Sequence, residues 1–149
     1  MAVPLHTPFE NGLPPKGQKV SNPEDIKKMM NADIFAQSIG ITLDEIGDGK
    51  AVTSVLITKN HFNGVGTVQG GLIFTLADYA FAAAANSRGK VTVGIKCDIV
   101  FIKPVKEGKL TAIAEEVSCT NKISNYEVKV FNDAKEIIAK FSGTGFRKD

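Results

Sequence analysis

One stretch, residues 61–89, limits what this chain can become. It opens as a glycine-rich loop, His61-Phe-Asn63-Gly-Val-Gly-Thr-Val-Gln69-Gly70-Gly71. It continues from Leu72 to Asn86 as a segment apolar on every side, with one carboxylate, Asp78, near its middle. This second half predicts a helix, closed by Asn86, Ser87 and Gly89. A helix that is hydrophobic all round must be buried on all sides, so the rest of the chain is expected to cover it. A carboxylate inside such a helix needs a partner or a chemical task.

The flanking sequence supplies short β elements. Residues 41–46 and 51–57 are strand-like and separated by Gly47-Asp48-Gly49, which predicts a hairpin. After the helix, Val91, Val93, Ile95, Cys97, Ile99 and Phe101 alternate as one long half-buried strand. Leu110, Ala112 and Ala114 alternate until Glu115-Glu116, where the phase slips by one residue before Val117 and Cys119, as in a β-bulge. Tyr126, Val128 and Val130, then Ile137, Ala139 and Phe141, predict the last two strands.

Upstream of the hairpin, Ser21-Asn-Pro-Glu-Asp starts a helix with Ile26, Met29 and Met30 as its apolar face. A second helical piece from Asp33 carries Ile34, Phe35 and Ile39 up to a capping Gly40. Residues 1–21 hold Pro4, Pro8, Pro14 and Pro15 without apolar periodicity and are expected to form a flexible arm; residues 22–149 form a single domain. The expected class is α+β, a curved antiparallel sheet wrapped around one long helix. A single layer leaves the far side of that helix open, and a second copy of the chain is the simplest cover.

Composition narrows the partners. A net charge of +2 without a basic block argues against nucleic acid. The longest apolar run, within residues 72–85, is broken by Thr75 and Asp78 and falls short of the roughly 20 residues a membrane span needs. No signal-peptide pattern is present, so a cytoplasmic location is expected. Two cysteines, Cys97 and Cys119, have no metal spacing and are too few for a disulfide framework. They are expected to be buried thiols, and no metal site is expected.

The glycine loop has a superficial likeness to a dinucleotide fingerprint. Its spacing, Gly64 to Gly66 to Gly70, is one residue too long, and no alternating βα units follow. Gly70 and Gly71 instead open the helix with bare backbone, where free N–H groups at the positive end of the dipole suit an oxyanion. Close packing of the helix start explains these glycines equally well. Asp78 has no basic neighbour on the helix before Arg88. It is a candidate general base or nucleophile, or else an acceptor of hydrogen bonds from Thr75 or a partner chain. Gly70 and Asp78 lie roughly 12 Å apart along a helix axis and cannot both reach one carbonyl group from the same chain. Two antiparallel copies of the helix across a two-fold axis would bring Gly70 of one chain near Asp78 of the other. Asn63 can orient a water or a carbonyl, or simply form the turn before Gly64. His61 is a candidate ligand or base, though a lone loop histidine is more often neither. Gln69 can donate and accept but cannot act as an acid or base.

The run Asn63-Gly-x-Gly-Thr-x-Gln-Gly-Gly, followed by Leu76-Ala-Asp78-x-Ala80-Phe81-Ala82, resembles the signature of the hotdog-fold thioesterases, in particular the phenylacetate-pathway (PaaI-like) branch. The helix end, Ala85-Asn-Ser-Arg-Gly, is also similar to that branch. The resemblance covers about residues 39–146 and implies the hotdog fold and hydrolysis of an acyl-CoA. It implies Asp78 as base or nucleophile, the Gly70 N–H as the group polarising the thioester carbonyl, and Asn63 as a helper from the chain opposite Asp78. Gln69 completes that catalytic set. Candidate substrate contacts are Gly71, His61, Thr92, Gly94, Arg88 and Lys103, with Lys90 and Lys122 as further phosphate partners. Coenzyme A enters as part of the substrate, with no separate cofactor. Self-association as a homodimer, and as a dimer of dimers, is implied.

The chain departs from the pattern twice. Gln69 stands where the family usually has histidine. The strand residue expected to face Asp78, usually Ser or Thr, aligns with Gly94, with Thr92 close by. A non-catalytic acyl-CoA or lipid-binding hotdog protein is therefore the alternative. A hotdog dehydratase, which pairs a histidine with the helix acid, fits less well because of Gln69.

Overall fold

The computed structural model describes residues 22–149; the expected N-terminal arm, residues 1–21, lies outside the described residues. Helix α1, Pro23–Asn31, starts where Asn22 caps it, its Oδ1 accepting from the Asp25 N–H at 2.8 Å. The short α2, Ile34–Ser38, starts in the same way from Asp33, and Gly40 follows it with a positive φ of 83°. The hairpin forms from β1, Thr42–Gly47, and β2, Lys50–Leu56, with Asp48 and Gly49 as its two-residue turn. The long helix α3 runs Gly70–Asn86. Four strands follow: β3, Thr92–Phe101; β4, Lys109–Cys119; β5, Ile123–Phe131; and β6, Ile137–Arg147.

The six strands form one antiparallel sheet in the order β1-β2-β4-β5-β6-β3. The sheet curves round α3, which packs against every strand. This is the expected hotdog arrangement. Alanines at 77, 80, 83 and 84 are fully buried, so the helix backbone can approach the sheet closely. Three buried polar contacts fix its position. Thr53 Oγ1 on β2 donates to the Leu76 carbonyl at 3.1 Å. The Tyr79 hydroxyl donates to the Met30 carbonyl at 2.7 Å, tying α1 to α3. Asn86 Oδ1 accepts from the Thr92 N–H at 2.9 Å and its Nδ2 donates to the Thr92 carbonyl, joining the helix end to β3.

Phe81 fills the space between α3 and the sheet, against Tyr126 and Phe141. A Cβ added to Gly143 on β6 would stand 2.9 Å from the Phe81 ring. Gly143→Ala is expected to destabilise the fold by about 1–3 kcal/mol through overpacking, read as a lower denaturation midpoint. An unchanged midpoint would mean that the ring moves aside freely.

The stripe Gly71, Phe74, Thr75, Asp78 and Ala82 is not buried, the open far side expected of a single layer, since one sheet and the two short helices cover only part of the α3 circumference. Several expectations change. On β3 the apolar alternation does not mark one buried face. A bulge between Gly94 and Lys96 takes up one residue, so Thr92 and then Cys97 and Ile99 turn toward α3, while Ile95 is 58% exposed. The β4 slip is a bulge between Glu116 and Ser118, but its extra residue, Val117, is exposed rather than the start of a new buried phase. On α2 the buried residue is Ala36, whereas Ile34 and Phe35 project outward. Both cysteines are free thiols and half-buried rather than buried.

Candidate active site

The loop before α3 is held by its own side chains. Asn63 Oδ1 accepts from the N–H groups of Val65 (3.0 Å) and Thr67 (3.1 Å), and its Nδ2 donates to Thr67 Oγ1 at 2.9 Å. All three contacts are local, the pattern of a turn-forming asparagine. His61 ends a single 3₁₀ turn, Lys59–His61, and is buried. Its Nδ1 accepts from the Thr58 N–H at 3.0 Å, which leaves Nε2 protonated to donate to the Ile39 carbonyl at 2.8 Å. Both ring nitrogens therefore serve the backbone in this structure.

Gln69 caps α3, its Oε1 accepting from the Gly71 N–H. The neighbouring Gly70 N–H has no hydrogen-bond partner among the described residues. The Phe101 ring lies against Gly70, 3.0 Å from where a Cβ would stand. Beside this helix start opens a groove of about 520 Å³, with Phe35, Ile39, His61, Phe62, Gln69 and Phe74 among the residues around it. That volume suits a small organic group, and the wall is mainly apolar.

Asp78 lies on the same open face of α3, two turns beyond Gly70. It makes no ion pair among the described residues. Burial pushes its carboxyl above the ordinary carboxylate range; a hydrogen bond from Cys97 works the other way, and Asp33 adds to the rise. Cys97 Sγ stands 3.8 Å from Asp78 Oδ1. Burial, and then the carboxylate beside it, push the thiol up to about 11, so it stays protonated near neutrality. Gly94 lies above Phe81, and Thr92 Oγ1 donates to the Lys90 carbonyl near the end of α3. The residue facing Asp78 is thus Cys97, not Gly94 or Thr92, because the bulge shifts the count by one. Nothing in an alternating strand marks where such a bulge falls.

The candidate phosphate contacts are already paired. Arg88 grips Glu116 with two hydrogen bonds, 2.7 and 3.0 Å, and the Tyr126 hydroxyl donates to the same carboxylate at 3.1 Å. The Arg88 hydrogen bond holds Glu116 below the ordinary range. Lys103 pairs with Glu136, and Lys90 and Lys122 reach Asp149. Among the described residues, no cluster of three or more His, Cys, Asp or Glu side chains could hold a metal ion. No described helix is long and apolar enough to cross a membrane.

A family model described as the thioesterase superfamily matches residues 65–139, from the glycine loop through α3 to the start of β6. The chain belongs to the thioesterase superfamily. Among its relatives in the superfamily, the acyl-coenzyme A thioesterase PaaI of Escherichia coli is 33% identical over 120 residues, spanning 80% of this chain and 86% of that one. The structure of E. coli PaaI, from the phenylacetic acid degradation operon, has a TM-score of 0.78 and covers 81% of this chain and 88% of its own. A mutant of the phenylacetic acid degradation protein PaaI from Thermus thermophilus is 32% identical with a TM-score of 0.74, covering 78% of this chain and all of that one. Human acyl-coenzyme A thioesterase 13 is 33% identical over 97 residues, 63% of this chain and 69% of that protein. The two PaaI structures share the overall fold of this chain.

Proposed function

We propose that this thioesterase-superfamily protein hydrolyses acyl-CoA thioesters to a carboxylic acid and coenzyme A, with each site shared between two chains. The observation that carries the reading is the open face of α3. Among the described residues, it holds a Gly70 N–H without a hydrogen-bond partner at the helix start and, eight residues on, a half-buried carboxylate without an ion pair, Asp78. Relatives named as acyl-CoA thioesterases support the substrate class.

In this reading two α3 helices lie antiparallel across a two-fold axis, covering the stripe that one chain leaves open. The exposed β3 edges, with Val93, Ile95 and Phe101, are free to pair in the same assembly. The Asp78 carboxylate takes a proton from water as the water oxygen attacks the thioester carbonyl. The Gly70 N–H of the other chain, at the positive end of its helix, holds the developing oxyanion. Collapse of the tetrahedral intermediate breaks the C–S bond, and the proton held by Asp78 passes to the departing sulfur. The site regains its starting state without a cofactor. Asn63 shapes the loop ahead of the oxyanion donor, and Gln69 holds the helix start through Gly71.

Release of free thiol from a panel of aryl, short-chain and long-chain acyl-CoAs tests the reading. Hydrolysis of at least one group, by a protein that sediments as a dimer or larger, is the expected result. Tight binding of several acyl-CoAs without cleavage would instead support the non-catalytic binder. A monomer that hydrolyses acyl-CoA would overturn the shared site.

A further inference from the structure

The half-buried thiol of Cys97 is the one polar side chain hydrogen-bonded to Asp78 among the described residues, and it comes from a different element of the fold. The β3 bulge between Gly94 and Lys96 places it there, opposite Gly143 on β6. We propose that Cys97 is a positioning residue, whose S–H donates to Asp78 Oδ1 and thereby orients the carboxylate and sets its basicity. This rests on the reading of Asp78 as the base.

The chemistry follows from the donor count. An ionised carboxylate only accepts, and each oxygen can take a separate donor. With the thiol on Oδ1, Oδ2 is left for the water proton. A hydrogen bond to the charged form favours that form. The thiol therefore offsets part of the rise that burial imposes on Asp78 and favours its ionised, proton-accepting form. The charged groups that act on this pair are few: Asp33 at the start of α2 acts on Asp78, and Asp98, next to Cys97 on β3, acts on the thiol. Both are acidic, so neither can replace the thiol as a donor. With the thiol held up to about 11, a nucleophilic thiolate role for Cys97 does not arise near neutrality.

Cys97→Ala and Cys97→Ser separate this role from simple packing. Both variants are close in size to the thiol, but only serine restores a donor. In Cys97→Ala, kcat is expected to fall about threefold to tenfold, the scale of one modest hydrogen bond, with KM little changed. The acid limb of its kcat–pH profile moves to higher pH. Cys97→Ser is expected to recover kcat and return the limb toward, or below, the wild-type position. Equal losses in both variants, or an acid limb that stays in place in Cys97→Ala, would overturn the proposal.

A second measurement does not depend on turnover. The S–H stretching band, assigned to Cys97 by its loss in Cys97→Ser, is expected to move to higher frequency in Asp78→Asn, because a carboxylate is the stronger acceptor. An unmoved band overturns the proposal even in an active enzyme. A moved band in a protein that cleaves no acyl-CoA leaves the hydrogen bond standing while the hydrolase reading falls.

Discussion

Asp78→Asn is expected to lose hydrolysis and gain stability in the same molecule. Asparagine keeps the shape of the side chain but cannot take a proton from water. Loss of a positioned general base should lower kcat about 10²–10⁴-fold. Stability moves the other way because burial raises the carboxyl above its ordinary value. A raised carboxyl means that the folded state prefers the protonated form. The wild-type protein is therefore most favoured below the ordinary carboxylate pKa and loses that advantage as pH rises through the folded value of Asp78. Above that window the ionised group is a standing cost that asparagine removes. The denaturation midpoint of Asp78→Asn should exceed that of wild type near neutrality, by roughly 0.5–2 kcal/mol, the scale of relieving a destabilised active-site group. The two midpoints should converge below the ordinary carboxylate range. Full activity in the variant would remove Asp78 from the chemistry. A variant less stable than wild type at neutral pH would mean that the ionised carboxylate makes a favourable contact with a second chain.

Much of this site was legible before the structure because local rules governed it. Asn22 and Asp33 are capping residues and they cap. Asp48-Gly49 is turn chemistry and it turns. The glycine pair opens α3, and Asn86 with Ser87 closes it. What stayed hidden depends on pairing between distant strands. Register in a sheet has a period of two, so a single bulged residue exchanges the faces of everything beyond it. In β4 the slip was visible because two glutamates interrupt an apolar series. In β3 the residues around the bulge are Gly94, Ile95 and Lys96, and the apolar series runs straight through it. Alternation therefore misplaces Val93 and Ile95, and it shows Cys97 only as one more buried thiol, with no sign of its contact with Asp78. The two exposed apolar side chains of α2, Ile34 and Phe35, stay hidden for a related reason. An apolar face shows that something covers it, not whether the cover lies in the same chain.

The shared site makes a second large-effect result available at Gly70. Gly70 occupies the first position of α3, where proline is tolerated because the missing N–H has no partner within the helix. The preceding residue, Gln69, already has φ −67° and ψ 134°, the extended conformation that a residue before proline adopts. Gly70→Pro can therefore delete the proposed oxyanion donor while the helix still starts, with contact against the Phe101 ring as its main steric demand. Hydrolysis should fall about 10²–10³-fold, the loss typical of removing one oxyanion donor. Gly70→Ala is the control: its methyl group meets the same Phe101 ring, but the N–H remains, so a far smaller loss is expected. Equal losses in the two variants would mean that the ring contact, not the N–H, matters. The pair Gly70→Pro and Asp78→Asn then tests how the site is shared. Each homodimer is inactive, since each of its sites lacks one group. A mixed dimer has one site with both defects and one with neither. Unfolding and refolding the two variants together in equal amounts should therefore restore roughly a quarter of wild-type activity, half of the dimers being mixed with one intact site of two. If Gly70 and Asp78 of one chain instead served the same site, every site in the mixture would carry one defect and no activity would return. Recovery near a quarter would locate the oxyanion donor and the base on different chains, and would make the open stripe of α3 the surface across which the second chain completes the site.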